Sequence, residues 1–204
     1  MSGCLVCIVY VSEAMRHSVI DGLKSVVSSS VFHTFHDITY NRTSFYLMAK
    51  NNDSVEEEAI NLCLAAAKSI DFRDHKGTHP CLGIVDHVYF TSLGPLLKDR
   101  AKDAALSFSR KLTDNLRIPT YLYGAASPTR SSLADIRRDF GYFSQKTSGC
   151  PTTETVLPRV VRTQDFGPPV SEESLGICCV GAIPLVVNFN MRYDNLPYTL
   201  LTKD

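Results

Sequence analysis

The residues best suited to chemistry lie in one short segment, from Asp71 to His87, which reads DFRDHKGTHPCLGIVDH. The segment holds histidines at positions 75, 79 and 87. Imidazole titrates near neutral pH, so a histidine can accept a proton and return it under physiological conditions. His75 and His79 are four residues apart, a spacing that on a helix could hold a metal ion. Gly77 and Pro80 disfavour a helix here, so we do not expect a zinc site.

Position in the chain separates the histidines from one another. His79 precedes a proline, which favours extended backbone, and it lies on a loop that leads into a strand. Reactive side chains are commonly displayed on such loops. His87 lies inside the strand, where we expect it to be packed or hydrogen-bonded. His79 is therefore the candidate catalytic residue, with a purely structural histidine as the alternative.

Periodic patterns around this segment predict the elements that position it. Apolar spacing predicts strands at residues 5–11, 31–38, 41–49, 84–91, 120–123 and 176–191, and helices at 15–27, 53–70, 97–116 and 132–140. Ser12 and Asp53 are the expected helix N-caps, the second with Glu56 as its capping-box partner. Residues 147–174 are polar and predict a long loop, functional or disordered. The order βαββαβαβαβ indicates an α/β (α+β) fold with a mixed sheet and helices packed on one face.

Composition narrows the class of protein. Lys+Arg and Asp+Glu each number 21 in 204 residues, so the formal net charge is zero and neither nucleic acid nor an anionic membrane is an expected partner. No apolar run approaches the roughly 18 residues of a membrane helix. Seven cysteines without secretion features predict reduced thiols and a cytoplasmic location. Cys4 and Cys7 form a lone CxxC, which we interpret as buried thiols rather than a metal or redox site.

Four motifs, in the same order, resemble those of the formiminotransferase family. The family's HKGxHPRxGxxD motif is matched by residues 75–86 and its NRT motif by residues 41–43. A VPxYLYGxA segment is matched by residues 118–126 and a DFGP element by residues 165–168. The resemblance spans about residues 5–190. It implies an N-terminal-subdomain-like domain at 1–190, with 191–204 as a tail and the second subdomain absent.

The resemblance also implies an activity. Enzymes of this family transfer a formimino group from N-formiminoglutamate to N5 of tetrahydrofolate, so tetrahydrofolate is implied as a substrate and no metal is implied. The histidine of the HP pair, here His79, is implied as the general base. Further substrate or folate contacts are implied at Asp37, Asn41, Arg42, His75, Lys76, Asp86, Tyr123 and Gly124. Ion pairs and turn residues remain the alternative interpretation of the charged positions.

Two departures from the family weaken the implied activity. Cys81 stands where the family has arginine, and residues 9–14 read VYVSEA where the family has PNFSEG. Arginine can hold a carboxylate through two parallel hydrogen bonds, whereas a thiol cannot. Restoring it by Cys81→Arg is predicted to tighten folate binding by about 1–3 kcal/mol. The alternative function is a non-catalytic folate-binding or protein-interaction module.

Apolar residues in the central strands predict association. Residues 84–90 carry apolar side chains on both faces of the strand, as in a sheet covered on both sides. A missing second subdomain would leave one face exposed, and large exposed apolar patches usually mark interfaces. We therefore predict a homodimer, or a partner bound through the uncovered sheet face.

Overall fold

Six strands form one mixed sheet in the computed structural model, which describes residues 4–48, 54–93, 98–142 and 162–186. The strands are β1 (Cys4–Val11), β2 (Val31–Asp37), β3 (Arg42–Met48), β4 (Val85–Leu93), β5 (Thr120–Gly124) and β6 (Cys178–Ala182). The helices are α1 (His17–Val26), α2 (Val55–Ser69), α3 (Lys98–Leu116) and α4 (Leu133–Asp139), with a short 3₁₀ turn at Phe72–Asp74. The predicted element order and the mixed α/β sheet are confirmed.

The strand order explains how distant motifs meet. The strands lie in the order β2-β3-β1-β4-β6-β5, with β1 antiparallel to both β3 and β4. β2 and β3 form an antiparallel hairpin. β6 runs parallel to β4 and β5. Tyr10 of β1 therefore lies opposite His87 of β4. β5 follows β4 and β6 in the strand order and forms that edge of the sheet.

Alternation of side chains gives the sheet two apolar faces. One face carries Val9, Phe45, Val88, Phe90 and Val180 and packs under the apolar sides of α1, α2 and α3. Burying a side chain of this size is worth about 1.5–3 kcal/mol, so this layer is the main source of stability. The other face carries Ile8, Tyr89, Tyr121 and Tyr123, and the short α4 packs there through Ile136 and Phe140. Three of the four described helices thus share one face, and α4 alone lies on the other.

Several predicted boundaries differ from the structure for local reasons. Ser12 is not an N-cap: its hydroxyl donates to the Gly83 carbonyl at 2.7 Å, and α1 begins only after Arg16. The N-cap of α2 is Ser54, whose hydroxyl bonds Glu56 at 2.7 Å, while Asp53 lies outside the described residues. β6 ends at Ala182 instead of residue 191. Residues 147–161 of the predicted loop and the predicted tail at 191–204 also lie outside the described residues.

The DFGP motif closes the β5 edge of the sheet. The Thr120 amide donates to the Phe166 carbonyl at 2.9 Å, and the Asp165 amide donates to the Thr120 carbonyl at 2.9 Å. The Asp165 carboxylate accepts from the Leu122 amide at 2.8 Å. These bonds pair backbone groups that an edge strand otherwise presents to solvent.

The apolar face that was expected to be exposed is buried within the single chain. Ile8 is 0% exposed and Tyr89 only 7%, so no large apolar patch lies on that part of the sheet. Exposed apolar side chains lie instead along the β2 edge, where Phe32 is 55% exposed and Phe35 57%. The argument for association through an uncovered sheet face is therefore wrong, and association itself stays a prediction.

Candidate functional site

An open cleft of about 570 Å³ lies on the sheet face that carries α4. Side chains of β1, β3, β4 and β5 meet there with α4 and the turn that precedes it. The lining residues are Tyr10, Arg42, His79, His87, Tyr89, Tyr123, Gly124, Arg130, Ser131, Ser132, Leu133, Ala134, Arg137, Ile183 and Val186. The cleft brings together four of the predicted site residues, namely His79, Arg42, Tyr123 and Gly124.

The geometry of His79 fixes where its proton resides. Its Nδ1 lies 2.8 Å from the Pro80 carbonyl oxygen and 3.0 Å from the Tyr142 hydroxyl. A carbonyl only accepts, so the neutral ring carries its proton on Nδ1 and leaves Nε2 as the basic nitrogen. Tyr40 packs against the ring with a centroid separation of 4.3 Å and limits its rotation.

The protonation of His79 suits a base. Burial lowers the pKa of its imidazole; the hydrogen bond to Pro80 raises it in part, and the charge of Arg42 lowers it further. The net effect is a pKa below the ordinary value of 6.5. The ring is therefore neutral near pH 7 and able to take up a proton at Nε2.

Two motifs form one physical unit around this histidine. Gly77 packs so closely on the hairpin turn that a Cβ at this position would lie 2.4 Å from the Tyr40 carbonyl oxygen. The Thr78 amide donates to the Thr39 carbonyl at 3.0 Å. The HKGTHP loop is thus clamped onto the turn that precedes Arg42, which holds His79 beside Tyr40.

Beneath the cleft, Asp86 organises the charges. Its Oδ2 accepts from Arg137 Nη2 at 2.6 Å and from His87 Nδ1 at 3.0 Å, with Arg42 Nη1 at 3.6 Å. Its Oδ1 accepts from the Leu82 amide at 2.9 Å. Burial alone would raise the pKa of Asp86, but the bond from His87 and the charges of Arg137 and Arg42 hold it well below its usual range. Asp86 is a buried, ionised carboxylate that does not itself line the cleft.

His87 is held by the same network. Its ring stacks on Tyr10 with a centroid separation of 3.9 Å and an interplanar angle of 16°. Burial lowers the pKa of His87 to about 4; the charge of Asp86 raises it in part, and those of Arg137 and Arg42 lower it further. The expectation that His87 is packed and hydrogen-bonded agrees with this arrangement, yet the residue also lines the cleft.

The electrostatic character of the cleft is cationic. The described lining residues include three arginines and no carboxylate. Arg42 and Arg137 share the charge of Asp86, whereas Arg130 is exposed and pairs with no carboxylate of the described residues. Arginine matches the geometry of carboxylates, so the cleft suits an anionic ligand.

Besides Asp86, four other predicted contacts lie outside the lining of the cleft. Asn41 accepts from the Ala14 amide at 2.7 Å, and Asp37 accepts from the Tyr40 amide at 2.9 Å. His75 Nδ1 lies 3.1 Å from the Ser12 carbonyl oxygen. Lys76 is exposed to solvent. Asn41, Asp37 and His75 fix the hairpin turn and the histidine loop, so the structure gives them a positioning role.

A comparison with known protein families shows which family the chain belongs to. The family model described as formiminotransferase domain, N-terminal subdomain, matches residues 4–183. The chain belongs to this formiminotransferase family.

Relatives of this formiminotransferase-family chain differ in length. It is 30% identical to a formiminotransferase cyclodeaminase-like protein of Arabidopsis thaliana, over 94% of the chain and 67% of that relative. It is 28% identical to the glutamate formimidoyltransferase of Streptococcus pyogenes serotype M1, over 96% of the chain and 65% of the relative. For the formimidoyltransferase-cyclodeaminase of Rattus norvegicus the identity is 29%, over 94% of the chain and 35% of the relative. The chain thus spans about two thirds of the first two relatives and a third of the last.

The formiminotransferase motif residue that is changed lies in the core. Cys81 is 9% exposed, and burial raises the pKa of its thiol to about 12, which keeps it protonated. It is absent from the residues that line the cleft, and the predicted effect of Cys81→Arg stays a prediction. Cys4 and Cys7 belong to opposite faces of the sheet. Across the described ranges, no cluster of three or more His, Cys, Asp or Glu side chains is placed to hold a metal ion.

Sequence reasoning missed several lining residues of this formiminotransferase-type cleft. Tyr10, Arg130 and Arg137 were not predicted, although Arg137 carried a signal. It lies on the same side of α4 as Leu133, Ile136 and Phe140, and a charge on an apolar helix side usually has a buried partner.

Among the described helices, none is long and apolar enough to cross a membrane.

Proposed function

We propose that this chain is a folate-binding formiminotransferase domain that transfers a formimino group from N-formiminoglutamate to tetrahydrofolate. The observation that carries the proposal is His79, whose Nδ1 is tied to a backbone carbonyl while its ring lines a cleft with three arginines. The names of the relatives describe formimidoyl transfer and so support the same chemistry. A cytoplasmic location belongs to this proposal.

The reaction needs one proton to move twice. N5 of tetrahydrofolate attacks the formimino carbon, and His79 Nε2 accepts the N5 proton as the new carbon–nitrogen bond forms. The bond from that carbon to the glutamate nitrogen then breaks, and His79 returns the proton to the departing amine. A neutral imidazole with a lowered pKa is suited to the first step, and the imidazolium that results is suited to the second.

The rest of the cleft supplies recognition. Both substrates carry carboxylates, which Arg130 and the Asp86-linked guanidiniums of Arg42 and Arg137 can hold. Tyr10, Tyr89 and Tyr123 offer aromatic surface to a planar ring. Positioning of two substrates against one base is itself a large part of catalysis.

The test is a turnover assay with tetrahydrofolate and N-formiminoglutamate. The wild-type chain is expected to convert both, and His79→Ala is expected to lower kcat by roughly 10²- to 10⁴-fold. His17→Ala, at an exposed histidine of α1, is the matched control and should leave kcat unchanged. Undiminished turnover in His79→Ala would contradict the role of His79. No turnover by the wild type, where a full-length relative is active, would contradict the activity.

A second candidate function is a folate binder without catalysis. It is favoured by Cys81 at the family's arginine position. Calorimetric titration with tetrahydrofolate separates the cases. Binding without turnover supports the non-catalytic binder, and absence of both supports a protein-interaction module.

A further inference from the structure

The proposed transfer leaves one reactive side chain of the cleft without a role, namely His87. The residue is 7% exposed and lines the cleft from the floor formed by β4. It differs from His79 in its surroundings, because its Nδ1 faces the buried carboxylate of Asp86 instead of a backbone carbonyl.

The position of the proton on His87 follows from its neighbours. Nδ1 lies 3.0 Å from Asp86 Oδ2 and 3.3 Å from Arg137 Nη2. Asp86 is ionised and only accepts, so an unprotonated Nδ1 at that distance would set two lone pairs against each other. Arg137 already donates to the same carboxylate oxygen at 2.6 Å. The proton is therefore on Nδ1, and Nε2 carries the free lone pair.

The free nitrogen is fixed in direction and has no hydrogen-bond partner among the residues that the structure describes. The ring is stacked on Tyr10 and tied to Asp86, so it cannot turn without losing both contacts. Nε2 makes no hydrogen bond to any residue within the described ranges. Its charged neighbours in the lining, Arg42 and Arg137, are donors only, so neither competes with Nε2 as an acceptor.

The surroundings of this acceptor indicate the ligand chemistry. Tyr10 and His87 stack on each other, and the Tyr89 ring lies 6.5 Å from that of Tyr10, so a ligand that reaches Nε2 would lie among aromatic side chains. An acceptor in such surroundings suits a flat ring that carries N–H groups at its edge. We propose that His87 is a specificity-determining residue whose Nε2 accepts a hydrogen bond from an N–H group of a planar, nitrogen-rich heterocycle. This rests on the proposed function, in which that heterocycle is the pterin ring of tetrahydrofolate.

Two substitutions separate this role from a purely structural one. In His87→Gln the side-chain oxygen can stand in for Nε2, whereas in His87→Asn the amide nitrogen can stand in for Nδ1 and keep the bond to Asp86. Calorimetric titration with tetrahydrofolate is expected to give His87→Gln a Kd within about threefold of the wild-type value. His87→Asn should have a Kd about tenfold higher, the scale of one hydrogen bond in a desolvated site. The reverse order, or equal losses in both, would overturn the proposal. His17→Asn is the control and should bind like the wild type.

A measurement on the wild-type protein avoids dependence on variants that fold poorly. With ¹⁵N-labelled histidine, long-range ¹H–¹⁵N spectra of the free protein should show the His87 proton on Nδ1, and the ring should stay neutral down to about pH 5. Saturation with tetrahydrofolate should move the Nε2 resonance upfield as it accepts a hydrogen bond. A proton on Nε2, or binding that leaves this resonance unmoved, overturns the role of His87 alone. Absence of any binding by the wild type overturns the proposed function and this inference with it.

Discussion

At the scale of single residues, one buried carboxylate sets the charge of the whole site. Asp86 faces Arg137, Arg42 and the neutral ring of His87, and its side chain is 0% exposed. Its negative charge lets two guanidiniums lie side by side in a partly buried place. A carboxylate that does not line the cleft can in this way set the charge of the groups that do.

Removing that charge should make the protein easier to unfold. Asp86→Asn leaves Arg137 and Arg42 facing each other without compensation, so the free energy of unfolding should fall by about 3–5 kcal/mol. Urea denaturation measures this free energy of unfolding. Glu57→Gln is the matched control, because it breaks an exposed pair with Lys111 and should cost about 1 kcal/mol at most. Equal losses in the two variants would show that Asp86 is not the central charge.

Stability should also fall as the solution is acidified through the histidine range. The pKa of His87 is lowered in the folded state to about 4 from the ordinary 6.5, so between these values the unfolded chain binds a proton that the folded chain does not. Stability is therefore present above about pH 6.5 and is lost toward pH 4, by about 2–3 kcal/mol for this residue. His75 and His79, whose pKa values are also lowered by burial, act in the same direction.

The measurement is the free energy of unfolding at pH 7 and pH 4.5, in the wild type and in His87→Gln. The variant should lose less stability between the two conditions, since it lacks the group that titrates. An identical pH dependence in both proteins would contradict the assigned state of His87.

The candidate site could be predicted from the sequence only where motifs name residues directly. His79, Arg42, Tyr123 and Gly124 belong to matched motifs, and all four line the cleft. His87, Tyr10 and Arg137 meet because of strand register and the placement of α4, which a single sequence does not state. Motif membership did not distinguish residues that line the cleft from residues that do not, since Asp37 and Asn41 belong to the same motif region and hold the turn instead.

At the scale of elements, the cleft depends on a close approach between the paired ends of β5 and β6. Gly124 ends β5 with a φ of 63°, and a Cβ there would lie 2.5 Å from the Ala182 carbonyl oxygen. Only glycine accepts both conditions without strain. The Gly124 amide also donates to the Ser131 carbonyl at 2.8 Å, which anchors the turn that carries Arg130.

Gly124→Ala should therefore disturb stability and binding together. We expect the free energy of unfolding to fall by about 1–3 kcal/mol, because the added methyl strains the backbone and meets the β6 backbone. Tetrahydrofolate should bind more weakly as the Arg130 turn shifts. Gly22→Ala is the control: it lies in α1 with open space around its Cβ and should raise stability by about 0.5–1 kcal/mol. Thermal melts and tetrahydrofolate titrations of both variants distinguish local strain at Gly124 from a general intolerance of alanine.

Element order was predictable because apolar periodicity survives in each segment, whereas element ends were not. Ser12 has the residue type of an N-cap, but a carbonyl 71 residues away takes its hydroxyl. The apolar run after residue 176 predicts a long strand, yet pairing with β4 and β5 ends at Ala182. Ends are set by tertiary hydrogen bonds, which local pattern does not encode.

At the scale of the whole molecule, the predicted homodimer or partner needs a new contact surface. The exposed apolar side chains of β2, Phe32 and Phe35, lie at an edge of the sheet. If the chain self-associates there, light scattering after size exclusion at micromolar concentration should give a dimer mass, and Phe35→Lys should shift it to the monomer. Asp114→Lys on α3 is the control for added charge and should leave the mass unchanged. A monomer at every concentration would contradict self-association.

The two ends of the sheet differ in their capacity to grow. At β5, the DFGP segment already occupies the amide of Thr120 through Phe166 and that of Leu122 through Asp165. At β2, β3 is the one neighbour among the described strands. Addition through β2 would join the sheets of two chains edge to edge and would use up both open edges at once. We therefore expect edge-to-edge assembly of this fold to stop at a pair, because the DFGP segment already covers the β5 edge.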